Sequence, residues 1–142
     1  MKKIVSYLML IVAFSFINAQ SQTSIYRGII GEKMYVTFFI ETVSNNCGVP
    51  PYYQSMYKYD GKKDWIQLEA TANKNNQFVF AEYAFSGVLI LEKKGKNLQG
   101  ICMSPDRKTQ FSVELKEIQS NEKEIERLKT TYEELNYQNY DC

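Results

Sequence analysis

The chain has 142 residues, 44% of them hydrophobic and 14% aromatic, with 17 Lys+Arg against 16 Asp+Glu and no histidine. The even charge balance leaves no electrostatic footprint for nucleic acid. The absence of histidine excludes the usual imidazole metal sites and every His-based catalytic triad.

In chain order, Lys2 and Lys3 precede an apolar run from Ile4 to Phe16 that ends in Asn18-Ala19 and a polar Gln20-Ser21-Gln22. This is the pattern of a secretory signal peptide over residues 1–19. The run falls short of the roughly 20 residues that cross a bilayer. The expectation is cleavage after Ala19 and an exported chain, periplasmic or secreted, with no membrane span. No cysteine at the cleavage site would take a lipid. Loss of Lys2 and Lys3 would take the formal charge from +1 to −1.

About 120 residues then remain, enough for one domain. Their dominant period is two. In "KMYVTFFIET", Met34, Val36, Phe38 and Ile40 point one way, and Tyr35, Thr37, Phe39 and Glu41 the other. Similar runs recur over 24–30, 33–42, 52–59, 64–70, 77–82, 88–93, 97–103 and 108–116. Turn-forming segments such as "DGKK", "TANKNN", "AFSG", "KGK" and "SPDR" separate them. Roughly eight antiparallel strands at this spacing predict an up-and-down meander. Exposed sheet edges invite pairing with other chains, so the meander closes into a small barrel or folds into two packed sheets. The barrel is favoured, because eight strands leave an interior that Phe38, Phe78, Phe80, Phe111, Ile66 and Leu89 can fill. The barrel domain is therefore set at 24–116, all-β.

Past Lys116 the period changes. Ile118, Ile125, Leu128, Tyr132 and Leu135 follow helical spacing, and Asn121 with Glu124 resembles a capping box. A C-terminal amphipathic helix is predicted over about 122–136, within an additional segment 117–142. From Lys116 to the end there are four basic and seven acidic residues, which makes the outer helix face acidic.

The segments "YRGIIGEKMYVTFFIE", "YQSMYKYDGKKDWIQLEA", "FVFAEY", "GVLILE" and "LQGICMSPDRKTQFSVEL" resemble small exported bacterial β-barrel proteins, lipocalin-like or avidin-like in shape. The resemblance spans Tyr26 to Leu115. It implies fold markers at Tyr26, Gly28, Gly31, Tyr57, Tyr59, Gly100 and the Ser104-Pro105-Asp106 turn, and it implies no catalytic residue. The loop around Cys47, Pro50 and Pro51 and the helical tail are additions to that pattern. Periplasmic lysozyme inhibitors share the general shape, but no inhibitory loop of theirs aligns here, so an inhibitor role rests on analogy of shape.

Candidate sites follow from the same reading. Tyr52, Tyr53, Tyr57 and Trp65 are amphipathic residues suited to a docking surface, with residues 45–51 shaping a rim. Equally, strands favour aromatics, and these rings could line the barrel. By alternation Tyr53, Ser55, Tyr57 and Tyr59 share one face. Glu69, Glu82, Glu92 and Glu114 could form a hydrolytic pair only if two of them faced inward within about 5 to 10 Å. Lys93, Lys94 and Lys96 around Gly95 read as a solvated loop tip. Of three cysteines, Cys102 and Cys142 are expected to pair if the helix travels back down the barrel, leaving Cys47 free. Cys47 to Cys142 is the rival pairing if the helix lies across the open end. No metal or cofactor is implied. The function expected is a non-enzymatic module that binds a protein or glycan partner, of the inhibitor or immunity type. A structural or assembly role through the C-terminal helix and a small-ligand carrier are the alternatives.

Overall fold

A computed structural model describes residues 21–44 and 48–140. The predicted signal segment, Cys47 and Cys142 therefore lie outside the described residues.

Eight strands form one closed antiparallel barrel with neighbours in strict chain order. They are β1 (Ser21–Ile30), β2 (Met34–Val43), β3 (Tyr52–Tyr59), β4 (Ile66–Ala72), β5 (Gln77–Glu82), β6 (Val88–Lys94), β7 (Asn97–Met103) and β8 (Gln110–Ile118). One helix, α1 (Glu122–Tyr140), follows. The up-and-down meander read from the alternation is thus the fold. Its loops alternate between an upper end, which carries the 44–51 segment, and a lower end with the 31–33, 60–65, 83–87 and 104–109 turns.

Period two sorts the side chains. Tyr26, Val36, Phe38, Tyr57, Leu68, Phe80, Leu89, Leu91, Leu98, Val113 and Leu115 fill the interior. Within it a continuous file of rings runs between the ends: Tyr53 meets Phe78 edge-on at 5.4 Å, and Phe78 stacks on Phe80 at 5.5 Å. Phe80 meets Phe38 at 5.2 Å, Phe38 stacks on Tyr57 at 5.9 Å, and Tyr57 meets Tyr59 at 5.5 Å. Offset and edge-to-face pairs of this kind add to the burial of their area. Phe111 departs from expectation. It sits at the first inward position of β8, at the lower end where the interior opens, and stays 40% exposed with its ring against Gly31.

Gly28 and Gly100 are inward positions where the wall bends most tightly. A Cβ on Gly28 would strike the carbonyl oxygen of Glu114, and one on Gly100 that of Ile90. Their absence lets neighbouring backbones approach, which is how a small barrel turns its corners.

The helix lies on the outside. Cross-strand pairing aligns Ile118, Ile25, Phe39, Met56 and Gln67 in one row over β8, β1, β2, β3 and β4. Leu128 and Tyr132 bury against that row, with Ile125 and Leu135 beside them. This explains the unbroken apolar Phe38-Phe39-Ile40: Phe38 and Ile40 face the interior and Phe39 faces the helix. Burying side chains of this size contributes about 1.5–3 kcal/mol each. Gln67 sets the register as a polar key. Its amide donates to Asn136 at 2.7 Å and to the Tyr132 hydroxyl at 3.3 Å, and its carbonyl accepts from Asn139 at 2.7 Å. Asn121 caps the helix as read, accepting from the Glu124 amide at 2.9 Å. The helix runs four residues past its expected end, because Asn139 and Tyr140 find partners on the barrel.

The expected Cys102–Cys142 pairing involves a residue outside the described ones. The helix runs across the strands, away from β7, on the outer wall, whereas Cys102 on β7 faces the interior between its neighbours Leu89 and Phe111. Among the described residues Cys102 has no disulfide partner.

Candidate functional site

The residues singled out in the sequence do not converge. Tyr52 stands exposed at the upper end of β3, and Tyr53, one residue on, turns inward. Tyr57 is completely buried within the barrel, so it belongs to the fold and not to a docking surface. The alternation had placed it on a face with Tyr53 and Tyr59, and pairing with inward Phe38 makes that face the interior. Trp65 lies at the lower end, packed on the row beneath the helix, with the Lys58 ammonium 5.2 Å from its ring centroid. Of the four glutamates, only Glu82 turns inward. Glu69, Glu92 and Glu114 alternate with inward Leu68, Leu91, Val113 and Leu115, so no carboxylate pair forms among them.

What the fold does assemble is the lower rim where β5 turns into β6. Glu82, the last residue of β5, receives the Tyr57 hydroxyl at 2.5 Å and the Ser86 hydroxyl at 2.6 Å. Tyr59 follows, its hydroxyl 3.4 Å from that of Tyr57. Gly87 makes room: a Cβ there would lie 2.8 Å from the carboxylate. Burial, then the Glu82 hydrogen bond, pushes the Tyr57 phenol far above its ordinary value, and burial pushes Tyr59 up. Burial and the Glu82 charge also raise the Cys102 thiol. A thiol held protonated is a poor nucleophile. With both Glu82 oxygens engaged, the cluster fastens the turn to the barrel interior.

The outer side of the same turn is aromatic. Tyr83–Phe85 form a single 3-10 turn in which Ala84 and Phe85 both adopt left-handed backbone, at φ 58° and 57°. Consecutive non-glycine residues there cost on the order of 1–3 kcal/mol each and persist only where surroundings over-determine them. The result holds Phe85 out in solvent, 58% exposed. Tyr83 meets the end of α1: its hydroxyl donates to the Asn139 carbonyl at 2.9 Å, and its ring meets Tyr140 edge-on at 5.3 Å. Tyr140 in turn donates to Glu69 at 2.7 Å and remains 49% exposed, while Tyr137, one turn earlier, is 67% exposed. Tyr83, Tyr140 and the Glu69 carboxylate thus meet at this rim, with Phe85 exposed in the same turn and Tyr137, Glu133 and Glu134 exposed on the helical turns that lead to it. The sequence pattern hides it, because "AFSG" reads as an ordinary hairpin turn. The available signal was a phenylalanine and a tyrosine in a turn that lacks a glycine at its bend.

Elsewhere, a shallow groove of about 480 Å³ crosses the outer wall over Val79 and Ile90, and a void of about 40 Å³ lies beneath the upper end beside Tyr26 and Lys93. Among the described residues no helix is long and apolar enough to cross a membrane, and no three potential metal ligands gather. No protein-family model matches the chain, and neither a curated protein nor a solved structure does.

Proposed function

We propose that this chain is a non-enzymatic binding module that engages a protein or glycan partner through the lower rim of its barrel. The observation that carries the reading is the Ala84-Phe85 pair, a strained backbone that exposes a ring in the same turn as Tyr83, which meets Tyr140. Exposed aromatic clusters of this kind supply much of the energy in recognition surfaces. An exported setting rests on the 1–19 segment, and an inhibitor or immunity role is the concrete form it suggests. The helix stripe is spent on the chain's own barrel, which argues against an assembly role. The file of rings leaves little interior room for a carried ligand.

The test is capture from an envelope extract on the immobilised chain, run beside a glycan array, with wild type, Phe85→Ser and Tyr52→Ser of equal thermal stability. Retention lost in Phe85→Ser and kept in Tyr52→Ser is expected. Loss in Tyr52→Ser alone would move the site to the upper end, and equal retention by all three would reject the rim.

A further inference from the structure

We infer that the lower rim docks a cationic segment of a protein partner, seating an arginine or lysine side chain against its rings. This rests on the rim reading above and names the partner's chemistry.

The segments that build the rim are sorted by charge. Strand β4 contains Glu69, the stretch from Phe80 to Leu91 contains Glu82, and α1 after Lys129 contains Glu133 and Glu134. None of these three segments holds a lysine or arginine, although the whole chain has 17. The helix keeps its bases, Lys123, Arg127 and Lys129, in its first half, and none stands in its last turn. A helix C-terminus has carbonyls with a partial negative charge, usually offset by such bases. Here Tyr83 satisfies one carbonyl and the remaining potential is unopposed by any base on the helix. The bases of the lower end, Lys33, Lys58, Lys62, Lys63, Arg107 and Lys108, belong to the end of β3 and to flanking turns.

Rings and carboxylates occupy one flank of the helix end. Glu133, Tyr137 and Tyr140 lie three to seven residues apart, within reach of one another on a helical surface. Tyr83 and Tyr140 meet at an interplanar angle of 86°, an arrangement that leaves ring surface open beside a carboxylate. An ammonium or guanidinium over an aromatic face gains about 0.5–1 kcal/mol at exposed sites. Neighbouring acidic groups add attraction that salt screens. A polyanion or acidic glycan would meet repulsion at the same place.

The probe is a hexa-arginine peptide, with its citrulline counterpart as the neutral control, titrated into the isotope-labelled chain and followed by amide chemical shifts. Shifts confined to residues 83–87 and 133–140 are expected, with the citrulline peptide inert. Phe85→Ser and Tyr140→Ser, which keep every charge, should each weaken the shifts about threefold, the ratio that 0.5–1 kcal/mol gives. The double variant Glu133→Gln/Glu134→Gln should weaken them similarly and flatten their salt dependence. Shifts spread along Glu122, Glu124 and Glu126, or insensitive to Phe85→Ser, would reduce the effect to diffuse charge attraction and overturn the inference. Partner capture that depends on Phe85 but ignores salt and the glutamate changes would overturn it while leaving the rim reading intact. Capture indifferent to Phe85 would remove both.

Discussion

The Tyr57 hydroxyl reaches the Glu82 carboxylate at 2.5 Å across the mouth of the barrel, joining the end of the internal ring file to the turn that displays Phe85. Tyr57→Phe keeps the ring packing and removes only this bond. Hydrogen bonds to charged groups are worth about 1.5–3 kcal/mol. The expected result is a fall of about 2 kcal/mol in unfolding free energy from denaturant titration, with binding at the rim preserved or mildly weakened. A large loss of binding at unchanged stability would restore Tyr57 to the recognition surface.

Two glycines fix the barrel's curvature, and alanine at either should be among the most damaging single changes. In both cases the added methyl would meet a backbone carbonyl, of Glu114 for Gly28 and of Ile90 for Gly100. Backbone cannot yield as a side-chain tip can, so a cost of about 3 kcal/mol or more is expected, at the upper range of overpacking. Thermal melts of Gly28→Ala and Gly100→Ala should show it, whereas Gly61→Ala, with open space around it and φ 79°, should cost only the strain of its backbone. Equal effects at all three sites would contradict the close approach.

Period two was legible because a closed wall has one dry face, so alternation in 34–42 and 52–59 translated directly into inward and outward sets. The helix was legible from its stripe and its Asn121 cap. Its path was not, since the row Ile25, Phe39, Met56 and Gln67 is assembled from four strands and exists only once their registers are set. The same limit hid the rim. Glu82 meets Tyr57 from β5 and β3, Tyr83 meets Tyr140 from the following turn and α1, and no glycine or asparagine at Ala84-Phe85 announces the left-handed backbone. Tyr57 shows the converse case. Its residue type suits an interface, and only the register with Phe38 turns it inward.

The helix is also tied down by charge. Lys129 meets Glu41 at 2.7 Å, and the Glu41 side chain is only 8% exposed against 29% for Lys129. Lys129→Met strands a largely buried carboxylate, for which breaking a buried pair sets an upper scale of about 3–5 kcal/mol. Because Lys129 is partly wet, a loss of about 2 kcal/mol is expected. Adding Glu41→Leu to Lys129→Met should recover most of it, since two apolar groups replace the pair. Chemical denaturation of the two single variants and the double variant checks this. Additive losses would mean that the residues are uncoupled.

Cys102 gives a kinetic readout of the barrel mouth. Burial and Glu82 hold Cys102 protonated, so its reaction with a disulfide reagent at neutral pH should be slow in the folded chain and fast after unfolding. Glu82→Gln removes the charge and should speed labelling of the folded chain. Alkylation of the denatured, unreduced protein should label Cys102 fully; a blocked Cys102 would show a disulfide there.

Tyr140 makes the rim sensitive to strong alkali. Its phenol, ordinarily near 10, is pushed up to about 12, first by the hydrogen bond it donates to Glu69 and then by burial. A group that holds its proton more tightly when folded contributes stability that is complete below pH 10 and lost as pH rises through 12. The phenolate absorbance of the wild type minus that of Tyr140→Phe should therefore show one transition centred near pH 12. The same subtraction in a Glu69→Gln background should move it down toward 10, because the neutral amide no longer opposes the phenolate charge. A difference transition already near 10 with Glu69 present would mean that Tyr140 does not hold the helix end to β4 in solution, which would leave that end tied through Asn139 to Gln67 and Tyr83.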